Sequence, residues 1–202
     1  MRDNLIDQFM QRRKIAKHTQ FLWEGDPSEE VYFVVQGHVK VFHRSAEGRE
    51  QILSIIKAHG FINTVTALEQ EGVNRANASA LTNLELAVMT RSEYLKTLHD
   101  SPEFANLILR DFAQKLHQMA GLVEELSLHN TRRRLINFLL KNIGTKDSVK
   151  GWTQEEIAAQ IGSVRDVVSR LLGTFSQQGL IRVERQRIII MEEDKLRAEI
   201  ED

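Results

Sequence analysis

The amino-acid sequence predicts an α+β fold in three parts: an antiparallel β-roll, one long helix, and a small helical module closed by a β-hairpin. Three observations carry this. Short β-branched runs separated by turns fill the stretch between the only two prolines, Pro27 and Pro102. After Pro102 the apolar spacing changes from strand-like to helical. From residue 131 two short helical segments with their own start signals precede a pair of strand-like runs. The boundaries this places are 1–102, 103–129 and 130–202.

In the first part, Val31–Val35 is followed by Gly37 and then by Val39, Val41 and Phe42 around Lys40. A turn at Glu47-Gly48 leads into Gln51–Ile56, and a further apolar stretch runs from Leu84 to Met89. Several such runs in succession read as an antiparallel roll or sandwich.

In the second part Leu109, Phe112, Leu116, Met119, Val123 and Leu126 are spaced 3, 4, 3, 4 and 3 residues apart. That is a narrow heptad seam with charged residues beside it, and it suits a partner helix. The simplest partner is the same helix of a second copy, giving a homodimer. The competing reading packs the helix on its own roll; Phe104, Leu107 and Ile108 can do that while the seam dimerises.

The third part opens with an amphipathic helix over Leu135, Ile136, Phe138, Leu139 and Ile143, stopped by Gly144. Thr153-Gln-Glu-Glu156 is a capping box for the next helix. Gly162-Ser163 is a tight turn, and Ser163 with Asp166 repeats the cap-and-acid spacing for a helix to about Gln177. Gly179 stops it. Leu180–Glu184 and Arg187–Met191 then read as a hairpin turning at Arg185-Gln186.

Charge divides at the same place. The 27 Lys/Arg and 28 Asp/Glu almost cancel, so no global field favours nucleic acid. Yet residues 1–130 hold 14 basic and 17 acidic side chains, whereas 131–191 hold 11 basic and 5 acidic. A basic module joined to an acidic one fits nucleic-acid binding. The absence of cysteine excludes disulfides, thiolate nucleophiles, zinc fingers and cysteine-ligated iron–sulfur clusters. No apolar run approaches the roughly 18–20 residues that span a bilayer, and the charged N-terminal stretch lacks a secretory core. A soluble, cytoplasmic protein with no membrane partner is expected.

The helix beginning near residue 164 carries the chemistry. Val167, Val168, Leu171, Leu172 and Phe175 share one face, which leaves Arg165, Asp166, Ser169 and Arg170 on the other, near the N-terminus. This is the layout of a helix-turn-helix recognition helix. Arginine can donate two hydrogen bonds to guanine and aspartate can accept from cytosine. The hairpin, carrying Arg182, Arg185 and Arg187, reads as a wing near phosphates. Thr153, Ser163, Arg185 and Arg187 are candidates for phosphate contact. A solvated helix face is the bland alternative; two capped helices, a Gly-Ser turn and a basic hairpin in sequence argue against it.

Trp23-Glu-Gly-Asp26, Tyr32-Phe-Val-Val-Gln-Gly37 and Val39-Lys-Val41 resemble the β-roll signature of the cyclic-AMP receptor protein / fumarate–nitrate regulator (CRP/FNR) superfamily of bacterial transcription factors. The run Thr153–Leu172 is similar to that family's DNA-binding signature. The resemblance covers nearly the whole chain. It implies a jelly-roll, cyclic-nucleotide-binding-like domain, a dimerisation helix and a winged helix-turn-helix, acting without enzymatic activity. The family's base-reading acid, Ser/Gly and Arg fall on Asp166, Ser169 and Arg170, with Arg165 matching a further DNA-contacting arginine. Better-known members carry glutamate where this chain has Asp166, one methylene shorter, which bears on the half-site. The family's hinge falls on Asn130, also a sound N-cap. A palindromic duplex operator, a second copy of the chain and RNA polymerase are the implied partners.

At the effector site the resemblance thins. Members that bind cyclic nucleotides hold the ribose with a Gly-Glu pair and the phosphate with Arg-Ser or Arg-Thr. Here Asn63 and Thr64 replace the first pair, Arg75 and Ala76 stand at the second, and Met119-Ala120 replaces an adenine-contacting Thr-Ser pair. An anionic phosphate wants several convergent donors, so cyclic AMP is not expected and no cofactor or metal is predicted. Three alternatives stay open. Haem-based gas sensing could use one of His18, His38, His43, His59, His99, His117 and His129, with His117 and His59 the foremost. A cupin-like metalloenzyme is remote, since no His-x-His occurs. The third is a dimeric sensor that has lost DNA binding, against which the four base-reading residues in register argue.

Overall fold

The computed structural model describes residues 6, 10–70, 72–142, 151–184 and 187–200. The stops expected at Ile143-Gly144 and the hairpin turn at Arg185-Gln186 lie outside the described residues. The chain divides into two compact units, Met1–His43 with Leu53–Ala120, and Arg44–Ile52 with Gly121–Asp202.

Eight strands form the roll: β1 (Gln11–Ile15), β2 (Gln20–Leu22), β3 (Glu30–Gln36), β4 (Val39–Arg44), β5 (Glu50–Ile56), β6 (Phe61–Ile62), β7 (Asn77–Ala80) and β8 (Leu84–Thr90). They make two four-stranded sheets, ordered β1-β8-β3-β6 and β2-β7-β4-β5. The pairs β1·β8, β3·β8, β3·β6, β2·β7 and β4·β7 are antiparallel, as the sequence predicts. Helices α1 (Arg91–Asp100) and α2 (Pro102–Leu128) follow.

The run Val31–Val34 is apolar throughout because β3 is covered on both faces. Tyr32 and Val34 pack with Leu22, Val39, Ala78, Leu86 and Val88 in the core between the sheets. Val31 and Phe33 point the other way, onto Tyr94 of α1 and Phe104 and Ile108 of α2. Strand β3 thus alternates between two buried layers rather than between core and water. Phe33, Phe61, Phe104 and Tyr94 form a chain of tilted and edge-on rings with centroids 4.9–6.2 Å apart, a favoured aromatic geometry.

Strand β1 is an edge strand whose sequence, Gln-Arg-Arg-Lys-Ile, is exposed except at Ile15. Charge on an edge blunts unwanted strand pairing. Arg13 donates both Nη1 and Nη2 to the Glu30 carboxylate at 2.7 Å, and the Tyr32 hydroxyl donates to the same group at 2.9 Å. The arginine fork, then the tyrosine, holds the Glu30 carboxyl below its usual value of 4.5. A carboxyl depressed in the folded state contributes stability above its unfolded pKa and loses it as pH falls through the folded one. Glu30→Gln is therefore expected to flatten the decline of melting temperature below about pH 4.5, measured by circular dichroism; an unchanged slope would show that the pair contributes nothing.

The second unit contains α3 (Thr131–Asn142), α4 (Gln154–Ile161), α5 (Arg165–Gln177), β9 (Ile181–Glu184), β10 (Arg187–Ile190) and α6 (Glu193–Ala198). Leu135, Ile136 and Leu139 of α3 meet Ile157 and Ile161 of α4, Val168, Leu172 and Phe175 of α5, and Leu196 of α6. Asn130 caps α3: its Oδ1 accepts from Arg133 N at 2.9 Å, which offsets an otherwise orphan donor.

Candidate nucleic-acid interface

Local signals set the helix-turn-helix. The Thr153 hydroxyl accepts from Glu156 N at 3.1 Å while Glu156 Oε2 accepts from Thr153 N at 2.9 Å. This is the capping box the sequence predicts, and it engages the Thr153 hydroxyl with its own helix. Gly162 ends α4 in the left-handed region at φ 64°, ψ 47°, a conformation that glycine adopts without the Cβ penalty.

The side-chain cap expected at Ser163 is not formed. Ser163 does not cap α5, because the left-handed turn moves the N-cap to Val164, which makes no side-chain cap hydrogen bond. The Ser163 N–H is instead spent on Ala158 O at 2.9 Å.

Helix α5 buries Val168, Leu172 and Phe175 and half-buries Val167 and Leu171, the face the spacing predicts. Arg165, Asp166, Ser169 and Arg170 are all exposed on its other side. Asp166 lies in the first turn, where a carboxylate faces the positive end of the helix dipole. Among the described residues, none of Arg165, Asp166 and Arg170 is drawn into an ion pair. Two other arginines of the basic module are. Arg132 pairs with Glu199 and lies 4.8 Å over the Phe175 ring, and Arg182 pairs with Glu184 at 3.0 Å. Glu184 is already in the count of 131–191, but Glu199 is not, so the Arg132 pair makes the excess counted there overstate what faces outward. Sequence order alone did not show that the acidic tail folds back onto the first helix of the module.

Strands β9 and β10 pair antiparallel with Arg187 opposite Glu184 and Ile190 opposite Ile181, forming the expected wing. Arg187 is exposed, and Arg185 lies outside the described residues. On α2, Leu109, Leu116, Met119, Val123 and Leu126 are exposed by 62, 72, 41, 59 and 38%, whereas Phe104 and Ile108 are buried on the roll. Phe112 is shared: half-buried, it packs against the roll cluster. The helix thus has one face on its own roll and a separate apolar stripe in water.

Among the described residues, the polar side chains singled out at the effector site are engaged with other partners. Arg75 is exposed and pairs with Glu69 at 2.7 Å, and Ala76 offers no hydroxyl. Asn63, at φ 67°, shares its two Nδ2 hydrogens among Ser28 Oγ, Glu30 O and Asn74 Oδ1, each at 2.9 Å. Thr64 is fully buried. His117 is exposed on α2, and His59, also exposed, holds a left-handed turn at φ 71°. Among the described residues no three His, Asp or Glu side chains gather as metal ligands, and no helix is long and apolar enough to cross a membrane.

Comparison with known proteins agrees with this geometry. Residues 12–101 match the cyclic nucleotide-binding domain and residues 133–199 match the Crp-like helix-turn-helix domain. A CRP-like cAMP-activated global transcriptional regulator of Mycobacterium tuberculosis is 27% identical over 187 residues, covering 89% of this chain and 83% of that one. A global nitrogen regulator of Synechococcus elongatus is 28% identical over 190 residues, covering 90% and 86%. The solved structure of the c-di-GMP responsive global regulator CLP of Xanthomonas campestris shares the fold, with a TM-score of 0.85 over 93% of this chain and 96% of that one at 16% identity. With a β-roll of the first kind and a helix-turn-helix of the second joined by one long helix, this chain belongs to the CRP/FNR family of transcriptional regulators.

Proposed function

We propose that the protein is a homodimeric, sequence-specific regulator that binds a palindromic operator through α5. The observation that carries this is the exposed cluster Arg165, Asp166, Ser169 and Arg170 at the N-terminal end of a helix whose opposite face is buried. In this reading α5 enters the major groove, Arg170 and Arg165 donate to guanine edges, and Asp166 accepts from cytosine. Arg187 on the wing, Ser163 in the turn before α5 and Thr153 at the start of α4 serve the phosphates, which position the protein without reading sequence. The exposed stripe on α2 joins two copies, so the two recognition helices meet half-sites one helical turn apart. A regulator of this kind works in the cytoplasm and meets RNA polymerase there. Cyclic AMP is not its effector, because Asn63 and Thr64 offer no carboxylate for a ribose and Arg75 is turned to Glu69.

Selection from random duplex DNA at about 0.15 M salt, with purified protein checked for bound nucleotide and haem, tests the reading; the salt is stated because phosphate contacts make affinity steeply salt-dependent. An enriched palindrome with half-sites about 34–36 Å apart is expected. No enrichment from a folded protein, with or without added cyclic nucleotide or haem, would overturn it.

A further inference from the structure

The loop after β6 is tied to α2 by a buried polar relay whose members lie far apart in sequence. The Lys115 ammonium donates to Thr64 Oγ1 at 3.0 Å and to Asp111 Oδ2 at 2.6 Å. Asp111 Oδ1 accepts from the Phe61 N–H at 3.4 Å, and the Tyr94 hydroxyl donates to the Thr64 carbonyl at 3.2 Å. The side chains of Lys115 and Asp111 are only 25 and 12% exposed. Next to them Asn63 is held by Ser28, Glu30 and Asn74, and its Oδ1 accepts from Thr66 Oγ1 at 2.5 Å. The hydrogen-bonding capacity of residues 63 and 64 is thus spent inside the protein.

Such a relay is a poor stabiliser. Burial pulls the Lys115 pKa down while Asp111 works against that shift, and replacing a buried pair with apolar side chains is often neutral or stabilising. Its distinctive property is that it fixes geometry. Lys115 and Asp111 are one helical turn apart, so both are satisfied only when Phe61 and Thr64 stand at one height along α2. An apolar contact could slide by a fraction of a turn at little cost; this one cannot without stranding a charge.

We propose that Lys115 is a positioning residue: gripped by Thr64 and Asp111, it seats the 61–66 loop on α2 and gives the dimer its DNA-binding register with no small molecule in the roll. This rests on the DNA-binding reading above. The loop holds the helix by the chain's own groups, so no ligand is needed to seat it.

The test compares full-length wild type with Lys115→Met and Thr64→Val in two readouts. One, hydrogen exchange of the amides of residues 61–66, needs no DNA. The other is affinity for the selected operator against random duplex, with and without cyclic AMP or cyclic di-GMP. Wild type is expected to bind the operator unaided and to ignore both nucleotides. Lys115→Met strands the Asp111 carboxylate and should melt lower than wild type; still folded, it should exchange at 61–66 about tenfold faster and bind the operator about tenfold more weakly, with random duplex unchanged. Thr64→Val should do the same in milder form. Unchanged exchange and operator affinity in both variants would overturn the proposal and leave the DNA reading standing, as would a wild type that needs either nucleotide. A wild type that binds no duplex specifically would overturn the DNA reading and effector independence together, while the exchange data still report whether Lys115 seats the loop.

Discussion

Arg170→Ala is expected to weaken operator binding about 10- to 100-fold for each half-site, because a good bidentate base contact is worth roughly 1–3 kcal/mol. In the proposed dimer two recognition helices act together, so the losses compound. Random duplex should be bound within a few-fold of wild type, since a base-reading arginine adds little to a sequence-independent phosphate interaction. Folding is not at stake: Arg170 is exposed on α5, and such substitutions usually stay within about 0.5 kcal/mol. Arg187→Ala on the wing supplies the contrast. Removing a phosphate-binding cation there should weaken operator and random duplex alike and lower the salt slope by about one. Electrophoretic or anisotropy titrations of both variants on both duplexes decide the matter. Equal losses on the two duplexes for Arg170→Ala would reassign that side chain to the backbone, and no loss on either would remove it from the interface.

The face that presents Arg170 was legible because two independent periodicities agree on it. The apolar spacing Val168, Leu172, Phe175 fixes the buried side, and the polar cluster then has only one place to be. Strands β3 and β8 were legible for a related reason: largely covered on both faces, they read as mainly apolar runs, Val31–Val35 unbroken and Leu84–Met89 broken only by Glu85. Strand β1 was not, because an edge strand can be written Gln-Arg-Arg-Lys-Ile, and β7 was not, because Asn77–Ala80 fits a fully buried position with small side chains rather than β-branched ones. Helix α1 carries a start signal of its own. Thr90 and Glu93 form the same capping box as Thr153 and Glu156, and that spacing before Tyr94 is enough to place the helix. Ser163 shows the opposite failure: the residue type was right for a cap, and the left-handed Gly162 moved the helix start past it. The Thr64–Lys115 relay had no sequence signal at all. Its members lie 51 positions apart, and the sequence could register only that the usual pair of residues was missing.

The substitution with the larger consequence for assembly is Leu116→Glu combined with Val123→Glu. These two positions are seven residues apart on the exposed stripe of α2, at 72 and 59% exposure, so in a two-fold seam each meets a symmetric or near-symmetric copy of itself. Burying a leucine or valine side chain is worth about 1.5–3 kcal/mol, and the double change removes four such contributions from the dimer. It also brings like charges together in a desolvated seam, where an unpaired charge costs several kcal/mol more. The protomer itself should survive, because α2 is anchored on the roll by the other face, through Phe104 and Ile108. The expected outcome is a folded chain that sediments as a monomer at micromolar concentration. Without the dimer each chain reaches one half-site, so operator affinity should fall by more than about 100-fold, beyond the effect of Arg170→Ala on a single half-site. Sedimentation equilibrium and operator titration measure the two together. A double variant that stays dimeric and binds as wild type does would show that the stripe is not the seam, and the apolar row on α2 would then need a different occupant.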